Sequence, residues 1–380
     1  KKNIMKKIGI IGGGISGLYL ANILKNNPDF DYKIFEKRED FNFSESYGIQ
    51  LSVNCIRLLN TIGFRNLAAS EVFFPSKVNF FQSSNSKKIC DIDIAQFNDH
   101  LNKYTTTKRS TLLKFLLKNI PQNKIKFNIT LTHLENHNNI KAHFSDNSKE
   151  NFDFLIIADG VFSQSRSLVS NGALNIKYNN SIALRARLKG HDDKNISIFM
   201  GPNFHYVIYP VNQKNEFNFV GIINKKLAGK DFNNQKIFQS KEFLNSLMEI
   251  LTKNSMTKLD NLSEIKAFPV FVSNSVPNLN KRKIFLSGDA LFTLSPSFAQ
   301  GASQSIETAQ DIFESIISGS DDLYKNRIIK ITSINWRSKL NQFSFHLSNP
   351  INVLIRNIIL KKLSKNKSFL EKYLGKVYRN

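Results

Sequence analysis

Cysteine is scarce in this 380-residue chain: Cys55 and Cys90 are the only two, too few for a disulfide framework and too far apart for a C-x-x-C pair. That scarcity fits a reducing, cytoplasmic setting. Acidic residues are also short, 30 against 53 lysines and arginines, which leaves a formal net charge of +23. The lysines are scattered among abundant Asn, Ile and Phe rather than gathered in blocks, so the excess reads as a bias of the whole chain and not as a nucleic-acid surface. A basic surface still favours acidic small molecules and anionic membranes in general. No stretch reaches the roughly 18 uninterrupted apolar residues of a spanning helix. No metal site is expected.

What is present begins at the first residues. "KKNIMKKIGIIGGGISGLYLANIL" has a basic head and an apolar body, which imitates a secretory leader. A strand, a glycine turn and a helix explain it better. Lys7 to Ile11 is a short apolar run, and Ile15, Leu18, Tyr19 and Ile23 recur at helical spacing after Gly12-Gly13-Gly14-Ile15-Ser16-Gly17. Tyr32 to Phe35 makes a second strand, and Glu36 follows 19 residues after Gly17. This is the spacing of a dinucleotide fingerprint. Gly12, Gly14 and Gly17 let backbone approach a pyrophosphate, Ser16 opens the helix whose N-terminus faces it, and Glu36 can hold a ribose hydroxyl pair. A carboxylate there argues for an unphosphorylated ribose, hence FAD or NAD rather than NADP.

The regular β-α pattern then stops, which separates the chain from a simple nicotinamide dehydrogenase. "SYGIQLSVNCIRLLNTIGF" reads as loop, short strand and helix, and "VNFFQSSNSKKICDIDI" as a hairpin of two alternating runs. Helical spacing returns at "KRSTLLKFLLKNI". Strand-rich sequence follows at "NIKYNNSIALRARLKG" and "SIFMGPNFHYVIYPVNQKNEFNFVGII". The dinucleotide domain is thus interrupted twice.

At "FDFLIIADGVFSQSRSLV" an apolar strand runs into Asp159-Gly160, with Ser163 and Arg166 after it. This resembles the D-G motif of the aromatic-ring flavoprotein monooxygenases. "SGDALFTLSPSFAQGA" resembles their G-D motif, with Gly288-Asp289, Pro296 and Ala299-Gln300-Gly301-Ala302. The glycine turn and these two signatures stand in the family's order, and the resemblance covers nearly the whole chain. A-Q-G-A and "MGPNFHYVIYP" are similar to the salicylate hydroxylase subgroup. One departure is Phe292, where the family usually has a histidine.

The resemblance implies an α/β fold: a Rossmann-like FAD-binding domain over 1–72, 105–175 and 275–320, interrupted by a β-sheet-rich substrate domain over 73–104 and 176–274. A C-terminal helical segment, 321–380, completes it. FAD would be bound by the first glycine turn and Glu36, by Arg109, Asp159 and Gly160, and by Gly288, Asp289, Pro296, Gln300, Gly301 and Ala302. Asp289 would accept from the ribityl chain, with Pro296 and 300–302 beside the isoalloxazine ring. Arg109 can also be read as a helix-start charge, and Asp159 with Arg166 as a surface ion pair.

The implied reaction is hydroxylation of a small phenolic or hydroxybenzoate-like ring through a flavin hydroperoxide, with NADH or NADPH as transient donor and molecular oxygen consumed. Alternation in "FHYVIY" puts His205, Val207 and Tyr209 on one strand face, over roughly 13 Å. His205 is the candidate base for the phenolic proton, Tyr209 a positioning hydroxyl, and Gln50 a further ring contact. Each also has a structural reading: a satisfied strand histidine, a core tyrosine, a local hydrogen bond. Arg185 and Arg187 share a face and read either as partners of a substrate carboxylate or as solvated surface. Two other functions stay open, a hydroxylase of a polyprenylated phenol on the ubiquinone route and a non-catalytic flavin-binding sensor. The basic tail, residues 351–380, suits an anionic membrane in the first case and simple packing on the flavin domain otherwise. Flavin halogenases want a tryptophan-rich motif that the single Trp336 cannot supply.

Overall fold

The structure, a computed structural model, describes residues 5–41, 43, 47–136, 139–170, 176–229, 231–257, 259–277 and 283–379. The domain edge expected at 175 lies outside them.

The strand Lys6–Ile11 forms because its run of isoleucines is buried on both faces, as in parallel sheets. It is the centre of five parallel strands in the order Ile284–Leu286, Phe154–Ile157, Lys6–Ile11, Phe30–Phe35 and Ile125–Lys126. Helix α1, Ile15–Lys25, covers one face, with Ile10 directed at it. The other face carries Gly9 and Phe35, against Phe144 and Phe152 of a three-stranded antiparallel sheet, Leu131–Asn136, Ile140–Phe144 and Lys149–Phe152. A Cβ on Gly9 would stand 2.8 Å from Leu155 and 3.0 Å from Phe152, which is why a strand centre carries glycine. This small sheet escaped the sequence reading because its strands are short and largely polar. Helices α2, Val53–Thr61, and α3, Arg109–Lys118, add to the same core.

The second body is a seven-stranded sheet, Leu262–Ser273, Ile176–Lys189, Glu216–Asn224, Phe204–Pro210, Ile196–Gly201, Lys77–Gln82 and Lys88–Asp93 in spatial order. The hairpin of the last two strands is antiparallel and joins the rest by pairing in parallel with Ile196–Gly201. One face, with Tyr206, Phe217 and Phe219, is sealed by α4, Gln235–Gln239, and α5, Lys241–Lys253, helices embedded in sequence otherwise rich in strands. His205, Val207 and Tyr209 line the opposite side, as their alternation requires. The two bodies are fastened where Gly48 N donates to Asn218 Oδ1 at 2.7 Å and Thr106 Oγ1 to the Pro210 carbonyl at 2.6 Å.

The chain returns through α6, Gly301–Ser318, then α7, Asp322–Phe345, and α8, Pro350–Leu363. Arg327 of α7 bonds Asp311 at 2.6 Å and also pairs with Glu307, which is 2% exposed and takes Lys330 at 3.0 Å. A buried ionic cluster thus clamps α7 to α6. The tail does not simply pack on the parallel-sheet domain: α8 sits on the hairpin of the large sheet, where Arg356 Nη2 donates to Gln82 Oε1 at 2.9 Å. The last turns come back to α2, where Asn54 Nδ2 donates to the Val377 carbonyl at 3.3 Å, with Tyr378 edgewise on Phe97 and beside Tyr104.

Candidate functional site

Three turns meet at the carboxyl ends of three adjacent parallel strands. Lys6–Ile11 enters Gly12-Gly13-Gly14, Phe154–Ile157 enters Ala158-Asp159-Gly160, and Ile284–Leu286 enters Ser287-Gly288-Asp289. In open α/β sheets this is the crevice where ligands bind. Gly12 has φ +107°, and a Cβ there would stand 2.4 Å from the Ala158 carbonyl, so the first two turns touch as backbone on backbone. A Cβ on Gly17 would meet the Gly12 carbonyl at 2.1 Å, whereas one on Gly14 would meet nothing within 4 Å. Gly14 therefore borders open space in front of α1. Ser16 joins the first turn to the third: its hydroxyl donates to the Ser305 carbonyl at 3.0 Å and lies 2.5 Å from Ser287 Oγ, which must be the donor in that pair.

Around this meeting point several polar groups are under-used. Glu36 accepts from Gly13 N at 2.7 Å and from Arg38 N at 3.1 Å, and a carboxylate has lone pairs for further donors. Asp159 Oδ2 accepts from Ser165 N at 3.3 Å, but its buried Oδ1 has no partner among the described residues. Arg166 is buried, not a surface ion pair, and ties the second turn to the third by donating to the Ala290 carbonyl at 3.0 Å and the Val161 carbonyl at 3.1 Å. Gln300 Nε2, also buried, lacks an acceptor among the described residues. An acceptor without a donor and a donor without an acceptor, both beside a crevice, suit a polar ligand lying along it. Asp289 carries accessible surface, yet that surface belongs to a cleft and not to bulk water. Crowding pushes its carboxyl up to about 6, although the Arg109 and Arg166 guanidiniums pull it back. Phe292, in the position of the family's histidine, is packed in the core of the parallel-sheet domain.

A cavity of about 910 Å³ continues from Asp289, Pro296 and the 300–302 turn along the seven-stranded sheet to α7 and α8, where exposed Trp336, Phe343 and Ile355 line it. Gln50, His205 and Tyr209 all line it. Tyr104 donates to Gln50 Oε1 at 2.8 Å, and Tyr209 lines the cavity beside them. Burial holds both phenols protonated, well above the usual tyrosine range. Arg185 reaches the same cavity with its guanidinium 5.1 Å from the Tyr47 ring centre, while Arg187 pairs at the surface with Glu264.

His205 is only 1% exposed. Its Nδ1 lies 2.7 Å from His346 Nε2, and His346 Nδ1 lies 2.9 Å from Asn224 Oδ1. With the amide oxygen as terminal acceptor, His346 carries its proton on Nδ1 and His205 donates from its own Nδ1, which leaves His205 Nε2 unprotonated. Burial lowers His346 to about 4, and burial together with the second imidazole puts His205 well below the usual range. Both rings are neutral near pH 7. Sequence reasoning missed His346 and Tyr104, since neither sits in a local pattern. His346 is brought to His205 because the turn before the strand is stitched to the end of α7, Asn203 N donating to the His346 carbonyl at 3.0 Å.

Comparison with known proteins gives consistent results. The family described as "FAD binding domain" matches residues 5–319. The 6-hydroxynicotinate 3-monooxygenase of Bordetella bronchiseptica is 22% identical over 314 residues, 80% of each chain. Among solved structures, Klebsiella pneumoniae HpxO complexed with FAD and uric acid superposes with a TM-score of 0.80 at 14% identity, covering 98% of this chain and 96% of that one. A salicylate hydroxylase substrate complex gives 0.78 at 16%, covering 100% and 98%.

Proposed function

The chain belongs to the FAD binding domain family and is an FAD-dependent monooxygenase of the aromatic hydroxylase kind, and from that premise we propose that it hydroxylates a phenolic or hydroxybenzoate-like ring in the cavity beside Gln50, His205 and Tyr209. The observation that carries this reading is the position of Asp289, which belongs both to the meeting of the three turns and to the cavity wall. A flavin lying along the crevice would therefore present its ring to the cavity.

In this reading Gly12, Gly14, Ser16 and Gly17 take the pyrophosphate at the α1 N-terminus and Glu36 the ribose. Arg109, Asp159 and Gly160 border the middle of the cofactor, Gly288 and Asp289 its ribityl chain, and Pro296, Gln300, Gly301 and Ala302 its ring. Bound there, FAD would supply the activation of molecular oxygen, with NADH or NADPH as the electron donor. The protein's own residues do the rest. His205 Nε2 accepts a hydrogen bond from the substrate hydroxyl. Because burial makes its imidazolium costly, it aligns and polarises the O–H bond more than it stores the proton. Gln50, held by Tyr104, and the Tyr209 hydroxyl orient the ring. Apolar walls such as Val207, Val220 and Ile222 exclude water, which would otherwise uncouple oxygen activation from hydroxylation. Arg185 is placed to pair with a carboxylate on the ring.

The test is NADH and NADPH oxidation by FAD-loaded protein with and without a panel of phenols and hydroxybenzoates, with hydroxylated product followed by mass. Substrate-stimulated oxidation with product formed supports the reading. Oxidation that no soluble aromatic stimulates overturns it and leaves the polyprenylated-phenol reading, which one observation favours: the cavity opens on an apolar surface.

A further inference from the structure

The outward faces of α7 and α8 are apolar in a way the fold does not use. On α7, Ile329, Trp336, Leu340 and Phe343 fall at i, i+7, i+11 and i+14 and form one exposed stripe. On α8, Ile351, Leu354, Ile355, Ile358 and Ile359 do the same. The inward face of α8 instead presents Arg356, which is held by Gln82 at 2.9 Å and by the Ser344 carbonyl at 3.3 Å. Arg356 is thus pinned beneath α8 beside Leu360, and those hydrogen bonds help hold the isoleucine-rich face outward. Trp336 is 63%, Phe343 69% and Ile351 68% exposed, so each helix carries a stripe of exposed apolar side chains rather than single scattered ones.

Charge and the cavity identify what covers it. From 323 to 370 the chain has ten lysines and arginines and no aspartate or glutamate. Lys339, Lys361, Lys362, Lys365 and Lys367 are exposed around the apolar stripes. A second copy applied through the same face would bring these lysines against their own counterparts. An anionic lipid surface complements them, and hydrocarbon outside with lysine at the rim is the composition of helices that lie in a membrane interface. No helix among the described residues is long and apolar enough to cross a membrane, so the contact is peripheral. Trp336, Leu340, Phe343, Ile355 and Ile359 belong at once to the patch and to the cavity lining, so the cavity mouth lies within the patch.

We propose that α7 and α8 dock the protein on an anionic lipid surface, with the cavity mouth turned toward the acyl chains. The docking stands without the proposed reaction. Its corollary, that an aromatic compound dissolved in lipid enters without crossing water, rests on that reading.

The experiment is vesicle flotation of the full, FAD-loaded chain with phosphatidylcholine alone and with added phosphatidylglycerol. Binding should rise roughly tenfold or more with the anionic lipid and fall in high salt. Trp336, the one tryptophan, should shift its emission to the blue as it leaves water. The triple variant Ile351→Gln, Leu354→Gln, Ile358→Gln changes exposed side chains outside the cavity lining. It should lose most vesicle binding and keep its flavin absorbance and melting point. If it does not fold, Lys361→Glu with Lys362→Glu and Lys365→Glu tests the same surface through its charge. No flotation with either lipid overturns the proposal, as does equal binding to neutral vesicles. So does a lipid-independent blue shift that tracks dimer formation in sedimentation. None of these readouts involves turnover, so failure of the hydroxylase reading leaves them unchanged.

Discussion

His205 and His346, separated by 141 residues in sequence, share a hydrogen bond of 2.7 Å in the interior, and both are held neutral by burial. Their folded-state values lie below that of an unfolded histidine. As pH falls, the unfolded chain therefore takes up protons first. Stability from this pair is complete above about pH 6.5 and is lost as pH drops toward about 4, the value for His346. Urea midpoints should fall by an amount equivalent to roughly 2 kcal/mol per histidine between about pH 7.5 and about pH 5. Asp289 acts in the opposite sense, because its raised carboxyl favours the folded state as pH falls through about 6. The comparison is therefore made against the double variant His205→Gln, His346→Gln, which should lose the acid sensitivity assigned to the pair. A double variant as acid-sensitive as the parent would refute the assignment.

The glycine turn offers a contrast between two single-methyl additions. Gly12→Ala places Cβ against the Ala158 carbonyl in a left-handed backbone, and strain alone costs about 1–3 kcal/mol. Its thermal midpoint should drop even without flavin. Gly14→Ala meets no atom of the described residues within 4 Å, so the flavin-free protein should melt as the parent does, while FAD affinity falls about tenfold or more if the pyrophosphate occupies that space. Equal FAD affinity in Gly14→Ala and parent would remove the pyrophosphate from this turn.

For Asp289, ionisation decides how strong an acceptor it is. Its carboxyl titrates at about 6, so FAD affinity, followed by flavin fluorescence, should rise from about pH 5 to about pH 7 and then level off. Asp289→Ala should cost roughly 1.5–3 kcal/mol of binding and flatten that profile. An unchanged profile in the variant would assign the pH dependence to another group.

The clamp between α6 and α7 is a buried ionic cluster whose loss should be felt far from the crevice. Glu307→Ala removes the buried carboxylate that Arg327 and Lys330 share, and breaking a buried pair in this way costs about 3–5 kcal/mol. The thermal midpoint should show it. Arg327→Met in the Glu307→Ala background should recover part of the loss, since it removes a charge left without its main partner. A double variant worse than the sum of the singles would rule out that account.

How much of this was legible in the sequence follows from the range over which each feature is encoded. The three turns were readable because glycine placement and the preceding apolar strand are local, and the strand face bearing His205 and Tyr209 follows from a two-residue alternation. What could not be read were pairings set by tertiary approach. Ser16 with Ser287, His205 with His346 and Gln50 with Tyr104 each join ordinary residues across 54 to 271 positions. Arg166 was ambiguous for the same reason: a charge in a loop looks alike whether it bridges two buried turns or meets water. The outward isoleucine stripe of α8 was hidden as well, because helical spacing reveals faces and not which of them points outward.

The parallel pairing of Lys77–Gln82 with Ile196–Gly201 has a consequence for biosynthesis. Val78 pairs with Ile196, so the hairpin of residues 77–93 leaves the ribosome with its inner edge unsatisfied until more than a hundred further residues have been made. At ordinary elongation rates that wait is roughly 6–24 s. During it the parallel-sheet domain is also incomplete, since Ile284–Leu286 comes later still. Neither body can close as the chain emerges in order, and both are completed late, in one long-range assembly step during which an apolar strand edge is open to chaperones and to other nascent chains.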